Sequence, residues 1–322
     1  MNLKESINNY LPKIKLISPK NEIDYYGFSY YLNKKLGFKK YNYSFSSWVH
    51  GWIFSELKFI EKFNTSQYYP HLKIVANKSQ KEFIKSYGFN KVITAGYPYI
   101  YVEKNPKIKK FKNSLLVMPP KNSMDTLSRW NEDEFIDQII SIKKNFDSVF
   151  FCIDQVSFNN KIWIEKIIKN NFQFVIGADS RDANSLLRMK IIFQHFDYVH
   201  SPVIGSAIAY AAYEGCKVSI SNNYLEYDIS GYTNHPLYLK NKPYIEYEIY
   251  TQSKEYAKNN YGFLFKEPFE GLILNDWAKT QLGFEFKKNI LELPYLLGWR
   301  MIDKLKFYPL KYINSITNRL TK

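Results

Sequence analysis

Short apolar runs alternate with amphipathic stretches through the middle of the chain. From residue 113 to residue 222 the apolar runs are only a few residues long, which is typical of strands buried on both faces of a sheet. Between them, apolar residues recur with helical spacing, as at Leu186, Leu187 and Ile191. This alternation predicts a parallel sheet with right-handed crossovers, and therefore an α/β fold. The predicted strands are Ser114–Met118, Ser148–Ile153, Phe172–Ile176, Tyr198–Val199 and Lys217–Ile220, and the predicted helices are Asp133–Lys144, Lys161–Asn170, Ala183–Phe196 and Gly205–Glu214.

The first 110 residues follow the same alternation less regularly. The pattern predicts strands at Lys15–Ser18, Leu72–Ala76 and Val92–Ala95 and a helix at Ser79–Tyr87, with an alternating aromatic stretch at Tyr43–Trp52. The segment from Glu103 to Lys112 is charged and contains Pro106, so we interpret it as a linker. We therefore expect a first Rossmann-like domain over residues 1–110, a second over 111–285, and a basic, aromatic-rich helical tail over 286–322.

One predicted turn stands out in the second domain. His200 leads through Gly205 and Ser206 into an alanine-rich helix that ends near Gly215. Small residues let a helix pack close to a sheet, and the open helix N-terminus favours an anion through its free N–H groups and its dipole. A purely structural turn is the equal alternative, because the chain has no GxGxxG or GxxxxGK[ST] motif.

Charge narrows the choice of partners. The 45 Lys and Arg residues against 30 Asp and Glu give a net charge of +15. A basic protein can meet nucleic acid, an anionic membrane or an acidic substrate. The lysines are scattered, and no arginine-rich arm, zinc knuckle or recognition helix is visible. A generally basic, solvated surface is the equal alternative. Among partners, we expect an anionic donor and an anionic membrane surface, and no nucleic acid.

The two cysteines and the N-terminus bear on localisation. Cys152 and Cys216 lie in apolar segments and are expected to be buried free thiols, which suits a reducing compartment. The N-terminus lacks the apolar core of a signal peptide, and no apolar run reaches the roughly 18 residues needed to span a bilayer. We expect a cytoplasmic protein that can attach peripherally to the inner face of the cytoplasmic membrane, with the tail either lying on that surface or packing on the first domain.

Several motifs resemble glycosyltransferases from bacterial O-antigen and capsule loci. They are WVHGW, AGYPYIYV, NSLLVMPPKNS, GADSRDANSLLRMK and FDYVHSPVIGSAIAYAAYEGCKVSI, which together span residues 48–222. The last motif is similar to the donor-binding turn of enzymes that use CMP-activated acidic sugars, in particular the Kdo transferases. The resemblance implies a GT-B architecture, with two Rossmann-like domains facing a central cleft, an acceptor domain first and a donor domain second. In the MPP-x-S turn this chain has Lys121 where a histidine is expected, which removes a base at that place.

The resemblance also implies roles for individual residues. Ser206, the backbone at Gly205 and Ser201 would hold the donor phosphate, and Asn222 and Tyr224 would flank the nucleotide. His50 would face the cleft from the acceptor side. The polar strand ends, including Pro119 and Lys121, would contribute further contacts to the donor. Arg188 is either a donor contact or a surface or interface cation.

Glycosyl transfer needs a stabilised leaving phosphate and a group that accepts a proton from the incoming hydroxyl. No DxD motif points to a metal, so we expect no metal and no other cofactor. The candidate proton acceptors are His50, Asp154, Asp179 and Asp182, and a retaining enzyme would use a carboxylate as nucleophile. We place Asp179 ahead of Asp182 in that role because Asp182 is suited to cap a helix. His195 and His200 are expected to be structural, as a helix-face residue and a strand-end residue. His235, beside Pro236, resembles a His-Pro pair of some sialyltransferases, but two residues are a weak signal.

The sequence therefore predicts a glycosyltransferase that moves a sugar, such as Kdo from a CMP donor, to a glycan or lipid-linked glycan acceptor of a bacterial O-antigen, capsule or lipooligosaccharide. A nucleotide-sugar epimerase of the same fold is one alternative. A basic nucleic-acid-binding protein is the other, and it would show steep salt dependence of binding.

Overall fold

The computed structural model describes residues 3–63, 69–120, 128–161, 163–233 and 239–309. The chain divides into two compact units. The three-stranded unit comprises Lys13–Glu103, Ser180–Leu187 and Lys279–Lys322, and the six-stranded unit comprises Met1–Pro12, Lys104–Asp179 and Arg188–Ala278. The domain boundaries expected from the sequence, at residues 110 and 285, stay a prediction.

Strands and helices follow one another along the chain as follows. The strands are β1 (Ser47–Trp48), β2 (Lys73–Val75), β3 (Val92–Thr94), β4 (Ser114–Val117), β5 (Ser128–Arg129), β6 (Ser148–Ile153), β7 (Gln173–Ile176), β8 (Tyr198–Ser201), β9 (Lys217–Ile220), β10 (Glu226–Tyr227) and β11 (Leu272–Ile273). The helices are α1 (Leu3–Asn8), α2 (Phe28–Lys35), α3 (Lys78–Ser86), α4 (Glu132–Ile142), α5 (Gln155–Asn159), α6 (Ile164–Lys169), α7 (Ser185–His195), α8 (Ser206–Tyr213), α9 (Lys242–Thr251), α10 (Lys254–Tyr261), α11 (Asn275–Gln281) and α12 (Leu293–Leu296). Residues 301–309 are also helical.

The three-stranded unit is built on a short parallel sheet in the order β1-β2-β3. Asn77 caps α3 through its side chain, which accepts a hydrogen bond from the backbone N–H of Gln80 at 3.0 Å. The turn before α2 requires a glycine, because Gly27 has φ +79° and a Cβ there would lie 2.1 Å from the carbonyl oxygen of Ala183. The segment Ser180–Leu187 therefore packs directly on the backbone of this unit.

The six-stranded unit has a sheet in the order β11-β9-β8-β4-β6-β7. All neighbours are parallel except β11, which runs antiparallel to β9 at the edge. Numbered by their appearance in the chain, the five parallel strands lie in the order 3-2-1-4-5, which matches five of the six strands of the classic Rossmann order. The predicted α/β class and the parallel sheets are confirmed in both units.

The core of the six-stranded unit explains why the strands read as continuous apolar runs. Both faces of β4 and β6 are covered, so that every residue of β4 and all but the first of β6 are buried. α4 packs its Phe135, Ile136 and Ile139 on this sheet. Burial of such side chains is worth roughly 1.5–3 kcal/mol each, which makes this core the main source of the unit's stability.

The structure corrects two predicted elements. The helix expected over Lys161–Asn170 is shortened to α6, because positive φ angles at Lys161 and Trp163 interrupt the chain before Ile164. A separate short helix, α5, which Asp154 caps, precedes it and was not predicted. The strand expected at Lys15–Ser18 is reduced to a single bridge between Leu16 and Asp182. The predicted bounds of Ser148–Ile153 and Lys217–Ile220 are confirmed.

The cysteines and the helices also bear on the expected localisation. Cys152 and Cys216 are buried free thiols, as expected, and burial raises the pKa of Cys216 to about 12. Across the described ranges, none of the helices combines the length and the apolarity needed to cross a bilayer.

Candidate functional site

The strand order of the six-stranded unit defines one crevice. From β4 the chain continues to β6 and β7 on one side, and from β8 it continues to β9 on the other. Helices then leave the neighbouring strands β4 and β8 toward opposite faces, so the carboxyl ends of these two strands frame the usual ligand position in such folds. The Met118 N–H donates to the His200 carbonyl at 2.8 Å, which joins the two strand ends.

The loop that follows β8 is held in place by two hydroxyl groups. Ser201 Oγ donates to the Met118 carbonyl at 3.3 Å and accepts from the Val203 N–H at 3.3 Å. The Tyr224 hydroxyl accepts from the Ile204 N–H at 3.2 Å, and burial raises its pKa to about 12. Ser201 and Tyr224, both predicted to contact a donor, thus also shape the loop that presents Gly205.

The turn itself leaves the start of α8 open. Gly205 is the N-cap of α8 and has no side chain to occupy that place, and a Cβ built on it would meet no atom within 4 Å. Ser206 and Ala207 are partly exposed, while Ile208 to Ala212 are buried against the sheet. The first N–H groups of α8 therefore lie at the crevice with the positive end of the helix dipole, which is an arrangement that accepts an anion.

The remaining predicted donor contacts lie at or near the same edge of the sheet. Pro119 follows β4 and is partly exposed. Asn222 follows β9, is exposed, and its carbonyl accepts from the Lys254 ammonium group. Lys121 and His235 lie outside the described residues.

Asp179 is not brought to this crevice. It follows β7, which is separated from β8 by β4 and β6. With strands about 4.8 Å apart, three strand steps amount to roughly 14 Å. Asp179 is buried, with an exposed fraction of 6%, and its proposed role as a nucleophile stays a prediction.

Asp182 and Arg188 serve the main chain. Asp182 is fully buried, and its carboxylate accepts from the N–H groups of Lys15 at 2.8 Å and Asn184 at 3.0 Å. The buried guanidinium of Arg188 donates to the carbonyl of Ile176 at 2.6 Å and to that of Pro12. These bonds join both charged groups to the backbone and stabilise the surrounding loops.

His50 and Glu22 are both placed near the end of β1 in the three-stranded unit, His50 because it follows that strand and Glu22 by its bond to Trp48. The His50 ring is partly exposed and lies 5.2 Å from the Tyr26 ring and 5.9 Å from the Tyr25 ring, measured between centroids. The Glu22 carboxylate accepts from the Trp48 N–H at 3.1 Å. Burial raises the pKa of Glu22 to about 7, against the opposing effects of the Trp48 hydrogen bond and the positive charge of Lys73.

Glu22 is the group that sequence reasoning missed. A carboxyl group with a pKa near 7 can take up or release a proton at neutral pH, which suits general acid–base catalysis. Nothing local marks it, since Asn21-Glu22-Ile23-Asp24 reads as an ordinary polar turn. The raised pKa arises only when the fold buries Glu22 beside β1 and β2, and this burial outweighs the lowering effects of Trp48 and Lys73.

A cavity of about 440 Å³ lies in the same unit, at the carboxyl end of β2 and the start of α3. The Gln80 side chain is fixed there, accepting from the Ala76 N–H at 2.8 Å and donating to the Tyr97 hydroxyl at 2.8 Å. Polar and apolar side chains both line the opening. Such a lining is suited to a sugar ring, which has hydroxyl groups at its edge and apolar faces. The lining includes Ile53, Ser55, Leu57, Asn77, Ser79 and Phe83.

No group of three or more His, Cys, Asp or Glu side chains that could hold a metal ion occurs among the residues that the structure describes.

Comparisons with known proteins give one finding. No protein-family model and no curated protein sequence matches the chain. Among solved structures, the crystal structure of TarM matches with 13% identity and a TM-score of 0.31, over 83% of this chain and 50% of TarM. The chain thus spans half the length of TarM, and a TM-score this low carries no argument about function.

Proposed function

We propose that this chain is a glycosyltransferase that transfers a sugar from a nucleotide-sugar to a glycan acceptor. The observation that supports it most is the open N-terminus of α8 at the crevice between β4 and β8. In glycosyl transfer the bond from the sugar to the nucleotide phosphate breaks and negative charge grows on that phosphate. Backbone N–H groups that are already oriented stabilise such charge without having to reorganise.

In this proposal the donor phosphate binds to the N–H groups at Gly205 and Ser206, and the Ser206 hydroxyl adds a hydrogen bond. Ser201 and Tyr224 keep the loop in shape, and Asn222 lies beside the nucleotide. No metal or other cofactor is assigned, because the helix terminus supplies the positive potential. The resulting site accepts a phosphate of any nucleotide, so base selectivity depends on other contacts.

The acceptor hydroxyl needs a base, and the proposal assigns this task to the end of β1. Glu22, with its pKa of about 7, is ionised in an appreciable fraction of molecules at neutral pH. His50 is the second candidate at the same strand end. The cavity beside β2 is the proposed position for an acceptor sugar.

The finer assignment rests on the sequence motifs. Their similarity to Kdo transferases supports a CMP-linked acidic sugar as donor and a bacterial surface glycan as product. The net charge of +15 favours an acidic donor and an acidic acceptor. A lipid-linked acceptor would be met at the inner face of the cytoplasmic membrane, so the proposal includes peripheral association with that face.

The phosphate site can be tested by thermal unfolding of the full chain with CMP, UDP, GDP or dTDP. Because a ligand that binds only the folded chain stabilises it by RT ln(1 + [L]/Kd), a nucleotide at 100 times its Kd adds about 2.7 kcal/mol to the free energy of unfolding. Ser206→Trp should weaken nucleotide binding more than tenfold, because the indole would fill the helix end. Ser141→Trp, at an exposed serine of α4, is the matched control and should leave binding unchanged.

Two results would contradict the proposal. One is equal nucleotide affinity in the Ser206→Trp and Ser141→Trp variants, which would exclude the phosphate site. The other is nucleotide release from the sugar donor at the same rate with and without a glycan acceptor, which would indicate an epimerase or a hydrolase instead of a transferase.

A further inference from the structure

The helical stretch 301–309 presents apolar side chains on two faces. Its inner face packs on the three-stranded unit through Phe307, whose ring lies 5.6 Å from the Phe45 ring and is 4% exposed. Met301, Ile302 and Leu305 are 71%, 66% and 72% exposed, and we call them the 301–305 face. Single exposed apolar residues need no explanation, but three neighbours on one helix face indicate an interaction surface.

Basic side chains surround the 301–305 face. Lys304 and Lys306 lie on the same helix, and the loop with Lys39 and Lys40 lies beside it. Two contacts place that loop there, because the Phe38 ring packs edge-on against Trp299 at 5.8 Å, and Lys304 Nζ donates to Asn42 Oδ1 at 2.7 Å. We call Lys39, Lys40, Lys304 and Lys306 the cationic rim.

The acidic group on the same helix does not cancel the rim. Asp303 is buried, and its carboxylate is paired with Arg300 at 2.8 Å and 3.0 Å. The Arg300 side chain also lies over the Tyr295 ring, 4.3 Å from the centroid, and Tyr295 is itself partly exposed. The rim lysines therefore keep their net positive charge next to an exposed apolar and aromatic surface.

We propose that the 301–305 face and the cationic rim dock on an anionic lipid bilayer. An apolar helix face flanked by lysines inserts shallowly at the level of the headgroups, while the ammonium groups meet anionic phosphates. A second copy of the chain fits less well, because a two-fold contact through the same face would set the two cationic rims against each other. The inference deepens the membrane association in the proposed function, but it rests on exposure and charge alone.

The test is co-sedimentation of the full chain with vesicles, without donor or acceptor. Vesicles of phosphatidylcholine with one third phosphatidylglycerol should retain the wild type at least tenfold better than pure phosphatidylcholine vesicles. The triple variant Met301→Gln, Ile302→Gln, Leu305→Gln should lose most of that binding. The matched control removes three exposed isoleucines of the six-stranded unit, Ile140→Gln, Ile168→Gln and Ile273→Gln, and should bind as the wild type does.

Charge reversal at Lys39→Glu and Lys40→Glu should also reduce binding at least fivefold and weaken its dependence on salt. Equal retention of the 301–305 variant and the control variant would overturn the proposal. Self-association that disappears in the 301–305 variant, with no binding to vesicles, would overturn it in favour of a second copy. Nucleotide binding measured in parallel separates these outcomes from a failure of the proposed transferase activity.

Discussion

At the scale of single residues, burial decides which charged groups are available for chemistry. Asp182 and Arg188 are both buried, and each forms hydrogen bonds with backbone groups of its own unit. Glu22 also has a backbone partner, the Trp48 N–H, yet burial outweighs that bond and raises its pKa to about 7. At Glu22, desolvation is the largest effect on the pKa.

The first prediction concerns Glu22 and pH. If Glu22 accepts the acceptor proton, turnover should rise with pH through about 7 as the carboxylate forms. Glu22→Gln should lower turnover by about 10²–10⁴-fold and remove this limb of the pH profile. The profile of kcat from pH 5 to pH 9 checks this, and Glu82→Gln, at a 68% exposed carboxylate of the same unit, is the control.

The free energy of unfolding should fall as pH rises, whereas turnover should increase. Because folding raises the pKa of Glu22 above its ordinary value of 4.5, its contribution to stability is fully present below pH 4.5 and is lost as pH rises through about 7. Glu22→Gln should therefore remove about 1–2 kcal/mol of the difference in unfolding free energy between pH 5 and pH 8, a figure already discounted for solvent screening. Urea unfolding at both pH values measures it, and an unchanged difference would show that Glu22 is not desolvated.

At the scale of elements, the local sequence pattern predicted the five parallel strands of the six-stranded unit. The strands Ser148–Ile153 and Lys217–Ile220 were predicted with their observed bounds, because parallel strands buried on both faces read as short apolar runs. The later start of α6 was not predicted, because it depends on positive φ angles at Lys161 and Trp163, neither of which is a glycine. The order of the strands could not be read from the pattern, since it depends on pairings distant in sequence.

The candidate site, too, was predicted from the sequence only in part. The Gly205 turn was predicted from its small residues, and the structure places it beside the end of β4. The clustering of Glu22 with Trp48 and Lys73 is tertiary and leaves no local signal. Asp179 was predicted from its position after a strand, but its strand lies three places from β8, which the sequence does not reveal.

The second prediction separates two glycines. Gly27→Ala should destabilise the fold by at least about 2 kcal/mol, because a Cβ would lie 2.1 Å from the Ala183 carbonyl oxygen and φ is +79°. Gly205→Ala should leave the free energy of unfolding within about 0.5 kcal/mol, because φ is 166° and the space around the Cβ is open. Thermal unfolding checks both, and a comparable loss in the two variants would contradict the description of the Gly205 turn as open.

At the scale of the whole molecule, the charge of +15 must be reconciled with the proposed function. One charge of this excess is used inside the fold, because Lys104 and Lys190 share the single carboxylate of Glu214, at 3.2 Å and 2.6 Å. Another part forms the cationic rim around the 301–305 face. The remaining lysines lie on both units. The proposed transferase binds an anionic donor and an anionic membrane at separate places, so it does not require one continuous basic groove.

The third prediction uses salt to distinguish this distribution from a nucleic-acid-binding surface. A protein that neutralises six to ten DNA phosphates loses about 10³–10⁵-fold in affinity between 50 and 200 mM salt. Scattered lysines that engage about two or three phosphates at once should give a log–log slope of only about −2 to −3 on duplex DNA. Fluorescence anisotropy with a labelled 20-base-pair duplex over this salt range measures the slope. A slope steeper than about −6 would favour nucleic acid as the physiological partner, because only a continuous basic surface releases that many counterions. The shallow slope would instead favour the anionic donor and the bilayer as the partners of this positive charge.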